Sequence, residues 1–140
     1  MAPVVGRPFQ IKTPGLRGAL ASVQSGLAQN TMDARRIAGD QVVQRLRGEA
    51  DRSFMNRDTG TMRRNYFFKA TQNQIEIHNK ARSGARKRGT GGGFPYPIVI
   101  EKRFKAAERT ILKHKGRIVE YSNLILADKG KARQGYRTEL

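Results

Sequence analysis

The chain is 140 residues long and carries 28 Lys and Arg against 11 Asp and Glu, a formal net charge of +17. That length suits one domain, and a hydrophobic content of 37%, below the ordinary ~45–50%, leaves it a modest core. The absence of cysteine excludes disulfides, thiolate metal sites and cysteine nucleophiles. No apolar run approaches the ~18–20 residues of a membrane span, and the first thirty residues have no continuous apolar stretch of the secretory kind. The expectation is a soluble protein of cytoplasmic origin, with no membrane partner.

The positive charge is unevenly spread. Residues 33–58 hold five acids and six bases, so they are nearly neutral. Residues 59–100 hold eight bases and one acid, and 102–119 hold seven bases and one acid. Such an excess points to an acidic partner, nucleic acid first among them.

Residues 1–18 contain three prolines and three glycines, show no period and read as an extended N-terminal arm. A frayed terminus is the alternative; the apolar residues Val4, Val5, Phe9 and Ile11 favour a docking arm, which the resemblance given below would seat on adjacent subunits. From Leu20 to Phe54 the spacing is helical. Leu16, Leu20, Val23 and Leu27 form a short first stretch, and Asn30-Thr31 offers a break with a new N-cap, followed by Asp33 in the first turn. Ala34, Ala38, Val42, Leu46, Ala50 and Phe54 then recur every four residues, with Ile37 and Val43 beside them. Arg35, Arg36, Arg45 and Arg47 fall on the outer face, and Gly39 and Gly48 suggest close packing against another backbone.

Asn56 to Gly60 is turn chemistry. Arg64–Ala70 and Gln74–Asn79 read as two strands of a hairpin joined at Thr71-Gln72-Asn73. Tyr66, Phe68 and Ala70 share a face with Ile75 and Ile77, while Phe67 and Lys69 point away. Tyr66, Phe67 and Phe68 imitate a base-stacking platform, although packing in a core is the reading favoured for them. Residues 80–93 form a basic, glycine-rich loop. Ile98-Val99-Ile100 reads as a third short strand. The last element runs from Lys102 to Ala127, with Phe104, Ile111, Ile118 and Ile125 seven apart and Ala107, His114 and Tyr121 between them. It reads as a continuous or kinked helix, with a strand over 117–126 as the alternative because of Gly116. Residues 128–140 read as a basic C-terminal tail.

No catalytic, cofactor-binding or metal-binding grouping emerges. His78 and His114 are the two histidines, and the acids are scattered. The run Gly89-Thr90-Gly91-Gly92-Gly93 lacks the Lys and Ser/Thr of a phosphate loop and precedes Phe94-Pro95 rather than a helix start. Arg82, Arg86, Lys87 and Arg88 form the electrostatic feature. On a glycine-rich tether they suit contact with nucleic acid or an acidic partner, without reading sequence.

The order of these segments resembles the small tail-completion or neck proteins of long-tailed bacteriophages, which join head to tail. The resemblance rests on RDTGTMRRN, with Asp58, Thr59, Gly60, Met62 and Arg63 as the turn motif after the first long helix. It continues in IEIHN and in FPYPIVIEKR, and covers residues 30–126. Proline follows Tyr96 where that family favours alanine, and no glycine follows Glu101. The resemblance implies a structural virion subunit, not an enzyme. It implies assembly in the host cytoplasm into a homo-oligomeric ring, hexameric being one option. Partners would be other neck and tail proteins, with non-specific contact to the genomic DNA. The alternative is a nucleic-acid-binding structural protein such as a ribosomal protein. The expected fold is α+β: a long N-terminal helix, a small antiparallel sheet with a hairpin, and a C-terminal helix. The expected layout is an arm over 1–18, a domain over 19–127 and a tail over 128–140.

Overall fold

A computed structural model describes residues 4–49, 62, 64–82 and 95–133. The fold is α+β. Its elements in order are β1 (Val4–Gln10), α1 (Pro14–Ser25), α2 (Met32–Glu49), β2 (Tyr66–Ala70), β3 (Ile75–Arg82), α3 (Tyr96–Phe104) and α4 (Ala106–Arg133). The strands form an antiparallel sheet of order β1-β3-β2, so the last strand in sequence is the middle one in space.

The N-terminal segment is part of this fold and not an arm. Ile11 donates its amide to the Ile77 carbonyl at 2.9 Å and is 1% exposed inside the chain's own core, with Phe9 packed against that core. Val4 and Val5 pair through their backbones with Arg82 and Ala81. The physical reason is sheet size: a two-stranded hairpin is marginal, and the first apolar segment supplies a third strand. Between the pairs Val5–Ala81 and Phe9–Asn79 the register slips, four steps along β1 against two along β3. Gly6, Arg7 and Pro8 occupy this bulge, where a proline without an N–H interrupts no ladder bond.

The expected break at Asn30-Thr31 separates two helices, and the longer one, expected to run to Phe54, is described to Glu49. α1 opens on Pro14, whose fixed φ suits a first helical turn, and ends at Gly26. Its first turn holds no acid. Glu108 of α4 fills that role, because its carboxylate lies where a Cβ on Gly15 would be. At the break, Thr31 caps α2 by accepting from the Ala34 amide at 3.1 Å. Asn123 of α4 holds the linker by accepting from the Ala28 amide at 2.8 Å and donating to the Gly26 carbonyl at 3.2 Å.

Leu16, Leu20 and Val23 of α1, Val42 and Leu46 of α2, Tyr66, Ile75 and Ile77 of the sheet, and Ile111 and Ile118 of α4 form one core. α2 packs along both α4 and β2. Where it crosses β2, Gly39 lets the helix approach: a Cβ there would lie under 3.0 Å from three atoms of the Phe68 ring. Gly48, by contrast, faces open space. Arg35 is not on the outer face. It is 5% exposed, donating from Nε to the Thr71 carbonyl and from Nη1 to Asn30 Oδ1, both at 2.7 Å. Arg47 donates Nε and Nη2 to the Tyr66 carbonyl at 3.0 and 2.8 Å. Two arginines of α2 thus satisfy carbonyls at the two ends of β2.

Ile98-Val99-Ile100 is helical, not a strand. Pro95 and Pro97 flank the α3 start, where proline is well tolerated, and a short apolar run is compatible with either period. Lys105, with φ 55°, is the left-handed corner between α3 and α4. α4 is a continuous helix of 28 residues through 117–126 and on to Arg133, so the expected tail begins as helix. Gly116 faces open space and does not break it. Ile111 and Ile118 are buried, whereas Phe104 and Ile125 at the ends of the heptad stripe are 36% and 37% exposed.

Two glycine substitutions in α2 separate these environments. Gly39→Val should cost about 2 kcal/mol through overpacking against Phe68, whereas Gly48→Ala should gain up to ~1 kcal/mol in helix propensity. Urea unfolding of both variants would check the contrast.

Candidate nucleic-acid interface

β3 presents two faces. Ile75 and Ile77 enter the core, and Glu76, His78 and Lys80 alternate with them on the other side. On that second face Phe67 of β2 stacks on His78, with ring centres 5.3 Å apart and planes 29° from parallel. The Lys80 ammonium sits over the Phe67 ring, 5.4 Å from its centre. His78 Nε2 lies 3.1 Å from Glu76 Oε1. This hydrogen bond is the leading reason that the Glu76 carboxyl is held below its ordinary value, partial burial working against it. A three-aromatic platform does not form. Tyr66 is 1% exposed and Phe68 packs on Gly39, leaving Phe67 alone on the outer side.

Of the four basic residues expected to meet an acidic partner, Arg82 is described, and Arg86, Lys87 and Arg88 lie outside the described residues. Arg82 ends β3 and closes over the β1 bulge. Its Nη2 and Nε donate to the Arg7 carbonyl at 3.2 and 3.4 Å, and its guanidinium lies 5.2 Å from the centre of the Phe9 ring. It therefore anchors the point where the basic loop leaves the sheet. The described residues hold no group of three or more acids and histidines that could bind a metal. No described helix is long and apolar enough to cross a membrane.

Of the turn motif, Met62 is described and is fully buried; Asp58, Thr59, Gly60 and Arg63 lie outside the described residues. Met62 meets the second motif segment directly. Asn79, 0% exposed, donates from Nδ2 to the Met62 carbonyl at 3.0 Å and accepts from the Ala81 amide at 2.7 Å. Lys80 adds a backbone bond to the Asn65 carbonyl. The amide side chain suits this position because it offers a donor and an acceptor at once. Its role as a clamp is invisible in the sequence, where Asn79 reads as the last residue of a strand.

Glu101, the acid in the third motif segment, is 1% exposed. Its two oxygens accept from the amides of Ala107 at 2.7 Å and Glu108 at 3.0 Å, capping α4 from the preceding helix. Burial pushes its carboxyl above the ordinary 4.5, and the two amide bonds oppose that rise. Beside it, a cleft of about 570 Å³ opens between the α1 start and the α3–α4 corner, with Lys12, Lys102 and Lys105 among its lining residues. Sequence spacing carried no signal for this cap, because donor and acceptor belong to different helices.

No family model matches the chain, and no curated protein or solved structure is significantly similar to it.

Asn79→Ala should destabilise the protein by about 2–3 kcal/mol, since it orphans a buried carbonyl and a buried amide; thermal and urea unfolding would measure this. Glu101 gives a pH signature. A native pKa raised above 4.5 means that the folded state holds this proton more tightly. Its contribution is therefore complete at low pH and is lost as pH rises through the raised value. The stability of the wild type relative to Glu101→Gln should fall as pH is raised from 4.5 toward neutrality. A pH-independent difference in melting temperature would contradict this.

Proposed function

We propose that this protein is a structural subunit of the neck or tail-completion region of a long-tailed bacteriophage, acting in the virion as a homo-oligomeric ring between head connector and tail. The observation that supports this most is the joining of two motif segments in space. Met62, in the described part of RDTGTMRRN, and Asn79 of IEIHN meet through a buried hydrogen bond. The exposed apolar side chains Leu112 at 49% and Leu124 at 59% suit a chain whose burial is completed by other subunits. No reaction is assigned to it. The basic loop with Arg82, Arg86, Lys87 and Arg88 would line the path of the genomic DNA or meet an acidic neck protein. Ile11 is buried in the chain's own core and Phe9 packs partly against it, so the docking role expected of them is taken up within the chain.

A nucleic-acid-binding structural protein of the ribosomal kind is the second reading, favoured by the excess of cations over acids. The two differ in self-association. Light scattering coupled to size exclusion, with negative-stain imaging, should find closed rings of the purified chain, alone or with neck partners. A monomer at every concentration that binds RNA tightly would overturn the ring reading. Replacing Arg86, Lys87 and Arg88 together by Gln, with Arg82 kept as the structural anchor of β1, should reduce DNA retention or assembly several-fold while changing the melting temperature little.

A further inference from the structure

We infer that the N-terminal half of α4 is a second polyanion-binding surface, a ridge that tracks the phosphate backbone of duplex nucleic acid independently of the 80–93 loop. Lys105, Arg109, Lys113 and Arg117 succeed one another at four-residue spacing and all are exposed. On a helix that spacing places neighbouring charges about 6 Å apart, so Arg109, Lys113 and Arg117 form a row about 12 Å long, with Lys105 at the corner just before it. Lys12 and Lys102, also exposed, extend the row around the mouth of the cleft at the α3–α4 corner.

Glu101 and Glu108 line the same cleft as Lys12, Lys102 and Lys105, but both are engaged within the fold. Glu101 is 1% exposed and engages both oxygens with the amides of Ala107 and Glu108. The Glu108 carboxylate lies against Gly15 at the start of α1. Among the described residues, Lys102, Lys105, Arg109 and Lys113 make no ion pair, and Arg117 reaches only the Tyr121 hydroxyl, at 3.4 Å. The next exposed acid, Glu120, marks where the row stops. Carboxylates are thus used internally as helix-end counter-charges while the cations project into solvent.

Duplex nucleic acid fits this surface better than a lipid headgroup layer or an acidic protein. A membrane-surface helix needs a broad apolar face, and the row from Lys102 to Arg117 offers two exposed large apolar side chains, Phe104 and Leu112, among its charges. The exposed Gly116, with nothing near the position of a Cβ, leaves the row sterically open to a large rod-like partner. Duplex DNA carries one charge per ~1.7 Å of axis, so a row of this length can meet several phosphates on one side. The contacts would be independent of base sequence.

The test is a salt titration of binding by the full chain to a 20-base-pair duplex, followed by fluorescence anisotropy. Arg109→Gln, Lys113→Gln and Arg117→Gln combined should lower the magnitude of the log–log salt slope by about two to three, roughly 0.9 for each phosphate no longer neutralised. A control of equal charge change, Arg17→Gln, Arg36→Gln and Lys69→Gln, should lower it by less than one. Equal effects of the two sets would mean that net charge alone is at work, and an unchanged slope in the ridge variant would overturn the ridge outright. So would a ridge variant that keeps its DNA slope but loses binding to polyglutamate or to phosphatidylglycerol vesicles. Unaltered circular dichroism and melting temperature would verify that the solvated substitutions leave the fold intact. The inference stands apart from the ring: a monomeric protein showing the expected slope change would end the ring reading and leave the ridge in place.

Discussion

The pairing of β1 with β3 is the interaction on which the rest of the molecule depends. A hairpin of β2 and β3 alone would expose one edge of its longer strand and be marginally stable. The chain instead brings residues 4–10 back across some seventy positions to complete the sheet, and Ile11 leaves β1 directly into the core. This fixes where α1 begins, and α1 with α2 and α4 then covers the apolar face of the sheet. Closing so long a loop costs entropy that grows only slowly with length, and burial of Ile11 and Phe9 offsets it.

Around this core, polar side chains set the relative positions of the elements. Gln24 of α1 accepts from the Ile75 amide and donates to the Asn73 carbonyl, seating the hairpin end on the helix. Arg35 and Arg47 hold the two ends of β2, Asn123 holds the α1–α2 linker, and Asn79 ties Met62 to β3. Each bond adds about 1 kcal/mol net, but each would leave a desolvated group behind if removed, so their greater contribution is to specificity of arrangement. Such clamps also explain how a chain with a modest apolar fraction can hold its helices and sheet in one arrangement.

The electrostatic pattern follows the same logic. Acids with a defined environment, Glu101 and Glu108, serve helix ends, and Glu76 serves His78. Among the described residues, the basic side chains face solvent apart from those that find carbonyls or aromatic rings, such as Arg35, Arg47 and Lys80. A protein so arranged repels itself and gains stability when a polyanion covers its surface. That is a property suited to an assembly built around nucleic acid, whether a ring on a DNA path or a binding protein.

The amino-acid sequence by itself determined the elements with a strong period: the α2 stripe of Ala34, Ala38, Val42 and Leu46, the Thr31 cap, the inward Ile75 and Ile77, and the helix containing Ile111 and Ile118. These rest on local spacing and local backbone chemistry, which the chain carries whatever its surroundings. It also determined the basic character of the surface, since charge is a matter of composition. Tertiary structure alone decided that residues 4–10 are a strand, because strand pairing needs a partner far along the chain. It decided that Ile98 to Ile100 are helical, because a three-residue apolar run has no period of its own. It decided, too, that Arg35 is buried, that Asn79 is a clamp and that Glu101 caps a helix to which it does not belong. In each of those cases the deciding group lies on another element, and no pattern within a single segment encodes it.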